Sequence, residues 1–126
     1  MARGLIAATL TMTLDERRSA GAPDTVRPLR LLVIDDDDNY RAYLAALTRR
    51  LGFWVDTAED GQAGLDRLAQ GRYDVAIIDY EMPRLTGVET IARIRASASN
   101  DTLYAMMLTG RPTIASIDRP VIWEKR

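Results

Sequence analysis

The sequence contains no cysteine and no histidine. Without cysteine the chain cannot form disulfides, thiolate zinc sites or a cysteine nucleophile. Without histidine it has no Ser-His-Asp triad, no imidazole general base and no histidine metal ligand. Any chemistry that the chain performs must therefore use carboxylates, hydroxyls, amines and backbone groups.

Long apolar runs and an excess of charge of one sign are also missing. No stretch of about 18 apolar residues is present, so we expect no membrane span. The 17 Lys and Arg nearly balance the 18 Asp and Glu, for a net charge of −1. This balance does not favour direct binding of nucleic acid. The lack of cysteine, of a clear signal peptide and of a membrane span favours a cytoplasmic location.

The first 28 residues differ in composition from the rest of the chain. The apolar stretch from Leu5 to Leu14 lacks a clear cleavage site, and Thr13 and Glu16 have the spacing of a capping box. We predict an N-terminal extension over residues 1–28, either flexible or a short helix. Residues 29–126 form one predicted domain, because the chain of 126 residues is shorter than the roughly 150 typical of a domain.

Short apolar runs alternate with helical patterns along this domain. Helical spacing over residues 40–51, 60–70 and 87–96 predicts three helices between strands. Such alternation indicates βαβ units and a parallel sheet, and strands that are apolar throughout indicate a sheet covered on both faces. The predicted strands are Leu29 to Ile34, Phe53 to Thr57, Tyr73 to Asp79, Leu103 to Leu108 and Val121 to Trp123.

Oxygen-bearing side chains follow three of these strands. Asp35 and Asp36 follow the first strand, Asp79 ends the third and Thr109 follows the fourth. The carboxyl ends of parallel strands lie at one edge of the sheet, where ligands bind. A hard cation relieves the repulsion between converging carboxylates, and Mg²⁺ suits such oxygen ligands. A carboxylate beside bound Mg²⁺ can act as a nucleophile toward phosphorus.

Four motifs make the chain resemble the receiver domain of two-component response regulators. The resemblance covers residues 29 to 110, about two thirds of the chain, and implies a flavodoxin-like, doubly wound α/β fold. Its sheet would have five parallel strands in the order 2-1-3-4-5. The motifs are Leu31-Leu32-Val33-Ile34-Asp35-Asp36-Asp37, Gly61-x-x-Gly64-Leu65, Asp79-Tyr80-Glu81-Met82-Pro83 followed by Gly87, and Leu108-Thr109-Gly110.

The resemblance also implies a role for each motif residue. Asp79 would accept a phosphoryl group from the phosphohistidine of a sensor histidine kinase or phosphotransfer protein. Asp35 and Asp36 would hold Mg²⁺ together with Asp79 and the backbone carbonyl of Glu81. Thr109 would donate a hydrogen bond to a phosphoryl oxygen. A domain of this kind acts as a switch that signals by binding a downstream protein or by forming a homodimer. It catalyses only its own phosphorylation and dephosphorylation.

The C-terminal part departs from the family pattern. Only 11 residues, 110–120, separate Thr109 from Val121, and a crossover with a full helix needs at least about 10–12. We therefore predict a stunted fourth helix and no C-terminal fifth helix, which would leave an apolar face for a partner. Lys125 is the one candidate for the lysine that, in the family, forms a salt bridge with the phosphoryl group.

Two alternatives to phosphotransfer signalling stay open. A pseudo-receiver would use the same fold as a protein-interaction module, with an unreactive Asp79. A haloacid-dehalogenase-type phosphatase has a strand followed by D-x-D, which Asp35 and Asp37 match, although Asn39 stands where that family has Thr or Val. Steady hydrolysis of a phosphoester would favour the phosphatase.

Overall fold

The acidic motifs lie at the ends of strands in a five-stranded sheet. The computed structural model describes residues 28–100, 102–108 and 121–124. The strand order is β2-β1-β3-β4-β5, as predicted from the family resemblance. The strands are β1 (Arg30–Ile34), β2 (Trp54–Ala58), β3 (Val75–Asp79), β4 (Tyr104–Leu108) and β5 (Val121–Glu124).

In the described part of the chain, three α-helices connect strands β1 to β4, each starting at a capping side chain. Asp37, Asp60 and Thr86 are the N-cap residues, and each accepts hydrogen bonds from backbone N–H groups of the first turn. No helix in the part of the chain that the structure describes is long and apolar enough to cross a membrane. The helices are α1 (Asp38–Arg50), α2 (Gly61–Gln70) and α3 (Gly87–Arg95), followed by a short 3₁₀ turn at Ala98–Asn100 that the sequence did not predict.

The sheet buries apolar side chains on both faces, which explains why the central strands β1, β3 and β4 are mostly apolar. On one face, residues of β1, β3 and β4 pack with Leu44 of α1. On the other face, their neighbours along the same strands pack with Leu68 of α2 and with Ile91 and Ile94 of α3. All five residues of β3 are buried. Asp79, the last of them, is therefore placed by a strand that is fixed on both sides.

The direction of the fifth strand differs from the prediction. Strands β1 to β4 are parallel, but β5 is antiparallel to β4, with Val121 opposite Leu108 and Glu124 opposite Ala105. The expectation of five parallel strands was wrong for this strand. A parallel neighbour requires a crossover of a dozen or more residues, usually with a helix, whereas an antiparallel neighbour requires only a turn. The 12 residues 109–120, which include the predicted stunted helix, lie outside the described residues.

Candidate acidic site at the carboxyl edge of the sheet

The loop after β1 places two carboxylates at the edge of the sheet. Asp35 is buried, its N–H donates to the carbonyl of Ala58 at 3.1 Å, and its Oδ1 accepts from the N–H of Asp37 at 2.9 Å. Asp36 is exposed. The buried carboxylate is thus fixed by the main chain, while its neighbour faces solvent and can reach a ligand.

The four consecutive aspartates divide between two tasks. Asp37 caps α1, because its Oδ1 accepts from the N–H groups of Asn39 at 2.9 Å and Tyr40 at 3.1 Å. Asp38 lies in the first turn, where a negative charge interacts favourably with the helix dipole. Asp35 and Asp36 precede the cap, so their carboxylates lie at the edge of the sheet.

The structure brings Asp35, Asp36 and Asp79 together. Each offers a carboxylate oxygen, and these oxygens lie within 4.8 Å of one another. Asp79 is 7% exposed and is paired with Leu108 in the parallel register of β3 and β4. Like charges at this distance repel, and a divalent cation relieves the repulsion. Mg²⁺ is a hard cation that takes carboxylate oxygens and waters as its ligands, so these donors fit it.

Backbone hydrogen bonds hold the loop between β3 and α3 at its start and at its end. The N–H of Tyr80 donates to the carbonyl of Leu108 at 2.8 Å, and the N–H of Gly87 donates to the carbonyl of Tyr80 at 3.1 Å. Met82 is buried, whereas Glu81 is exposed two residues after Asp79. The loop therefore closes on itself immediately after the predicted phosphoacceptor.

A capping box fixes the far end of this loop. The N–H of Thr86 donates to Oε1 of Glu89 at 3.0 Å, and the N–H of Glu89 donates to Oγ1 of Thr86 at 3.2 Å. The hydrogen bonds from the backbone and side chain of Thr86 lower the pKa of Glu89. The carboxylate of Glu89 is thus stabilised at the start of α3.

Two arginine contacts at this edge were missed by sequence reasoning. Arg84 has a positive φ of 66°, and its Nη2 lies 3.0 Å from Oδ2 of Asp60, the N-cap of α2. Arg41 donates from Nη1 to the backbone carbonyl of Asp35 at 2.9 Å. No local pattern in the sequence indicates either contact, because the i,i+3 spacing of Asp38 and Arg41 indicates only the ion pair between those two side chains.

A groove of about 730 Å³ lies beside the acidic cluster. Tyr80 and Val88, which line it, are 42% and 51% exposed. The groove reaches Asp36, which forms part of its lining, so it borders the acidic cluster directly. Its lining is completed by Glu81, Met82, Pro83 and Thr86.

Two predicted site residues cannot be placed. Thr109 and Lys125 lie outside the described residues. β4 ends at Leu108 opposite Asp79, immediately before Thr109 in the sequence. The roles of both residues stay predictions.

Comparisons with known proteins agree with this geometry. The family model for the response regulator receiver domain matches residues 31–120. The response regulator MprA of Mycolicibacterium vanbaalenii is 38% identical over 91 residues, which cover 70% of this chain and 37% of that protein. The chain thus spans little more than a third of the length of that curated relative.

Solved structures show the same fold. The chemotaxis protein CheY4 of Vibrio cholerae matches with a TM-score of 0.64 and 28% identity, over 70% of this chain and 73% of that one. The response regulator TrrA of Thermotoga maritima, solved in complex with Mg²⁺–BeF, matches with a TM-score of 0.57 and 32% identity. That match covers 69% of this chain and 72% of TrrA.

Proposed function

This chain belongs to the response regulator receiver domain family, and from that premise we propose that it is a phosphorylation-dependent signalling switch. Asp79 accepts a phosphoryl group from the phosphohistidine of a histidine kinase or a phosphotransfer protein. The observation that supports this most directly is the convergence of Asp35, Asp36 and Asp79, whose carboxylate oxygens lie within 4.8 Å of one another.

The proposed transfer is a single displacement at phosphorus. One carboxylate oxygen of Asp79 forms the new P–O bond while the P–N bond of the phosphohistidine breaks. The imidazole keeps the electron pair of that bond and leaves as a neutral ring, because its other nitrogen carries a proton. The phosphohistidine must lie outside these 126 residues, since they contain no histidine. The groove lined by Tyr80 and Val88 provides room for its approach.

The proposed ligands of Mg²⁺ are the carboxylates of Asp35, Asp36 and Asp79 and the backbone carbonyl of Glu81. When bound there, Mg²⁺ would neutralise the charge on the phosphoryl oxygens. The comparison that supports this choice of metal is TrrA, whose structure holds Mg²⁺–BeF. Thr109 donates a hydrogen bond to a phosphoryl oxygen. The family resemblance implies Lys125 as the salt-bridge partner of the phosphoryl group, a role that the direction of β5 does not favour.

The phosphorylated domain acts through a downstream protein or a second copy of the chain. It turns over no external substrate and catalyses only its own phosphorylation and dephosphorylation. We place the switch in the cytoplasm, the compartment that the sequence favours. The domain matches little more than a third of MprA, so an output segment elsewhere in a longer protein is compatible with the proposal.

One observation favours a second function, a receiver-shaped interaction module without phosphotransfer. β5 runs antiparallel to β4, and Glu124 lies opposite Ala105 rather than near Leu108 at the carboxyl edge. The strand therefore leads away from the acidic site immediately before Lys125. If no lysine reaches the phosphoryl group, the fold would serve only as a binding surface.

The test is the intact mass of the protein after incubation with acetyl phosphate and Mg²⁺. We expect one added phosphoryl group on the wild type and none on Asp79→Ala. Asp66→Ala, which removes an exposed carboxylate of α2, is the matched control and should be phosphorylated like the wild type. No added mass on a wild type shown by circular dichroism to be folded would favour the interaction module. Steady release of phosphate from a phosphoester would instead favour a phosphatase.

A further inference from the structure

The guanidinium of Arg41 connects two parts of the acidic loop. Its Nη1 donates to the backbone carbonyl of Asp35 at 2.9 Å, and its Nη2 donates to Oδ1 of Asp38 at 2.6 Å. The side chain of Arg41 is only 18% exposed, although that of Asp38 is 86% exposed. The planar fork of arginine, with its several N–H donors, suits two acceptors at once.

These contacts fix the peptide group between Asp35 and Asp36. On the upstream side, the N–H of Asp35 is held by the carbonyl of Ala58 at 3.1 Å. On the downstream side, the carbonyl of the same residue is held by Arg41. The orientation of this peptide group determines the position of the Cα atom of Asp36, from which the side chain extends. Asp36 is exposed, so its side chain is not held in place by burial.

We propose that Arg41 is a positioning residue that orients the Asp35–Asp36 peptide group so that the carboxylates converge for cation binding. The inference rests on the proposed function, in which these carboxylates hold Mg²⁺. Arg41 touches neither the metal nor the phosphoryl group in this proposal. It acts through the main chain of Asp35. The side chain of Asp35 is one proposed ligand, and that of the next residue, Asp36, is another.

Arg41 affects cation binding in two opposite ways, through the peptide group that it orients and through its positive charge. The direction of the change in Mg²⁺ affinity on its removal therefore shows which effect is larger. Loss of the positive charge of Arg41 would draw Mg²⁺ more strongly to the site, whereas loss of the anchor would weaken its binding. The ion pair with Asp38, at 2.6 Å, compensates much of the arginine charge, so removal of the guanidinium changes the field at the site less than loss of an uncompensated charge would. The positioning effect should therefore be the larger one.

The Mg²⁺ dependence of phosphorylation by acetyl phosphate tests the proposal. Arg41→Met keeps the length of the side chain and removes its donors. We expect the Mg²⁺ concentration for half-maximal rate to rise about tenfold, the cost typical of losing a group that orients a metal ligand. The rate at saturating Mg²⁺ should stay close to that of the wild type, a split that general destabilisation would not produce.

Two further variants sharpen the test. Arg50→Met removes the same charge from an exposed position in the last turn of α1, and its Mg²⁺ dependence should stay within about twofold of the wild type. Arg41→Lys keeps the charge but lacks the fork, so it should resemble Arg41→Met. An unchanged or tighter Mg²⁺ dependence in Arg41→Met, or full recovery in Arg41→Lys, would overturn the proposal.

A measurement on the metal-free protein separates this inference from the proposed function. The N–H of Asp37 donates to Oδ1 of Asp35, so its exchange with solvent reports the order of the loop. NMR should show faster exchange of this amide in Arg41→Met than in the wild type or Arg50→Met. Unchanged exchange would overturn the positioning role, even in a protein that accepts phosphoryl groups. Faster exchange in a protein that never accepts them would leave the positioning role intact and count only against the proposed function.

Discussion

Gly87 lies directly against the main chain of Asp79. A Cβ atom at Gly87 would lie 2.5 Å from the carbonyl oxygen of Asp79 and 2.8 Å from Cα of Tyr80. This close approach brings the first turn of α3 onto the end of β3, where the N–H of Gly87 donates to the carbonyl of Tyr80 at 3.1 Å. Glycine is required here because any side chain would meet rigid backbone.

We predict that Gly87→Ala displaces the loop after Asp79. The overlap should lower the free energy of unfolding by about 1–3 kcal/mol, the usual cost of an added carbon in a closely packed region. Phosphorylation by acetyl phosphate should slow as well, because the displaced carbonyl belongs to the proposed phosphoacceptor. Urea denaturation and intact mass would measure the two effects.

Gly71→Ala is the matched control for this substitution. Gly71 follows α2 in an extended conformation, and a Cβ there would meet its nearest heavy atom, a ring carbon of Tyr73, at 3.7 Å. That is an ordinary van der Waals distance, so stability and phosphorylation should both change little. Similar losses in the two variants would show that the Gly87–Asp79 contact has no special role.

Asp36→Asn tests the proposed metal site without disturbing the core. Mg²⁺ should raise the thermal midpoint of the wild type, since a ligand that binds only the folded state stabilises it. Because Asp36 is exposed and lies close to two other carboxylates, the variant should be at least as stable without metal. It should gain less stability from Mg²⁺ than the wild type or Asp66→Asn. An equal gain in all three proteins would argue against Asp36 as a ligand.

The ion pair of Arg84 and Asp60 is expected to contribute little to stability. Its arginine side chain is 79% exposed, and such surface pairs contribute about 0–1 kcal/mol. Arg84 has a positive φ of 66°, and this backbone conformation costs a residue other than glycine about 1–2 kcal/mol. Arg84→Gly relieves that cost, so the free energy of unfolding in urea should stay within about 1 kcal/mol of the wild type.

Arg84→Val gives the contrasting result. A β-branched residue fits poorly at positive φ, so this variant should lose more than about 1 kcal/mol relative to Arg84→Gly. Both substitutions remove the ion pair, and only the backbone preference differs between them. Equal stability of the two variants would mean that the loop relaxes to another conformation.

Tyr73, at the opposite edge of the sheet, should make the free energy of unfolding depend on pH. Burial and the hydrogen bond to Oδ2 of Asp56, at 2.6 Å, raise the pKa of Tyr73 above its ordinary value of 10.0. A raised pKa means that the stabilising interaction is complete below pH 10 and is lost as the pH rises through the folded-state pKa. The free energy of unfolding should therefore fall over that alkaline range.

Tyr73→Phe should remove this part of the alkaline loss. At neutral pH the variant should be less stable by about 1–3 kcal/mol, because it lacks a hydrogen bond to a charged group. The difference from the wild type should shrink as the pH rises above 10.0. Denaturation in urea over a pH series would measure it, and a constant difference across the series would contradict the assigned cause.

Local patterns made most of the fold predictable. The ends of α2 are an example, because Asp60 accepts from the N–H of Ala63 at 2.8 Å and Gly71 ends the helix, as the sequence indicates. The direction of β5 was not predictable in this way. It depends on the path of the connection from Leu108 and on which edge of the sheet is open, and no pattern within Val121–Glu124 encodes either.

In the candidate site, too, some features could be predicted from the sequence and others could not. The meeting of Asp35 with Asp79 followed from topology alone, because neighbouring parallel strands end at one edge. The contact of Arg84 with Asp60 did not, because it joins residues 24 positions apart through the conformation of a loop. Sequence patterns identify groups carried by regular elements, whereas side-chain contacts between loops depend on the folded geometry.

The direction of β5 leads to a last prediction, which concerns Thr109 and Lys125. Thr109 follows Leu108, whose carbonyl accepts from the N–H of Tyr80 beside the acidic site. Thr109→Ala should slow phosphorylation by acetyl phosphate about tenfold through loss of a hydrogen bond to a charged group, and Thr109→Ser should restore the rate. Lys125→Met should have the smaller effect, because β5 leads away from that edge. Equal slowing by both variants would instead support the salt bridge that the family resemblance implies for Lys125.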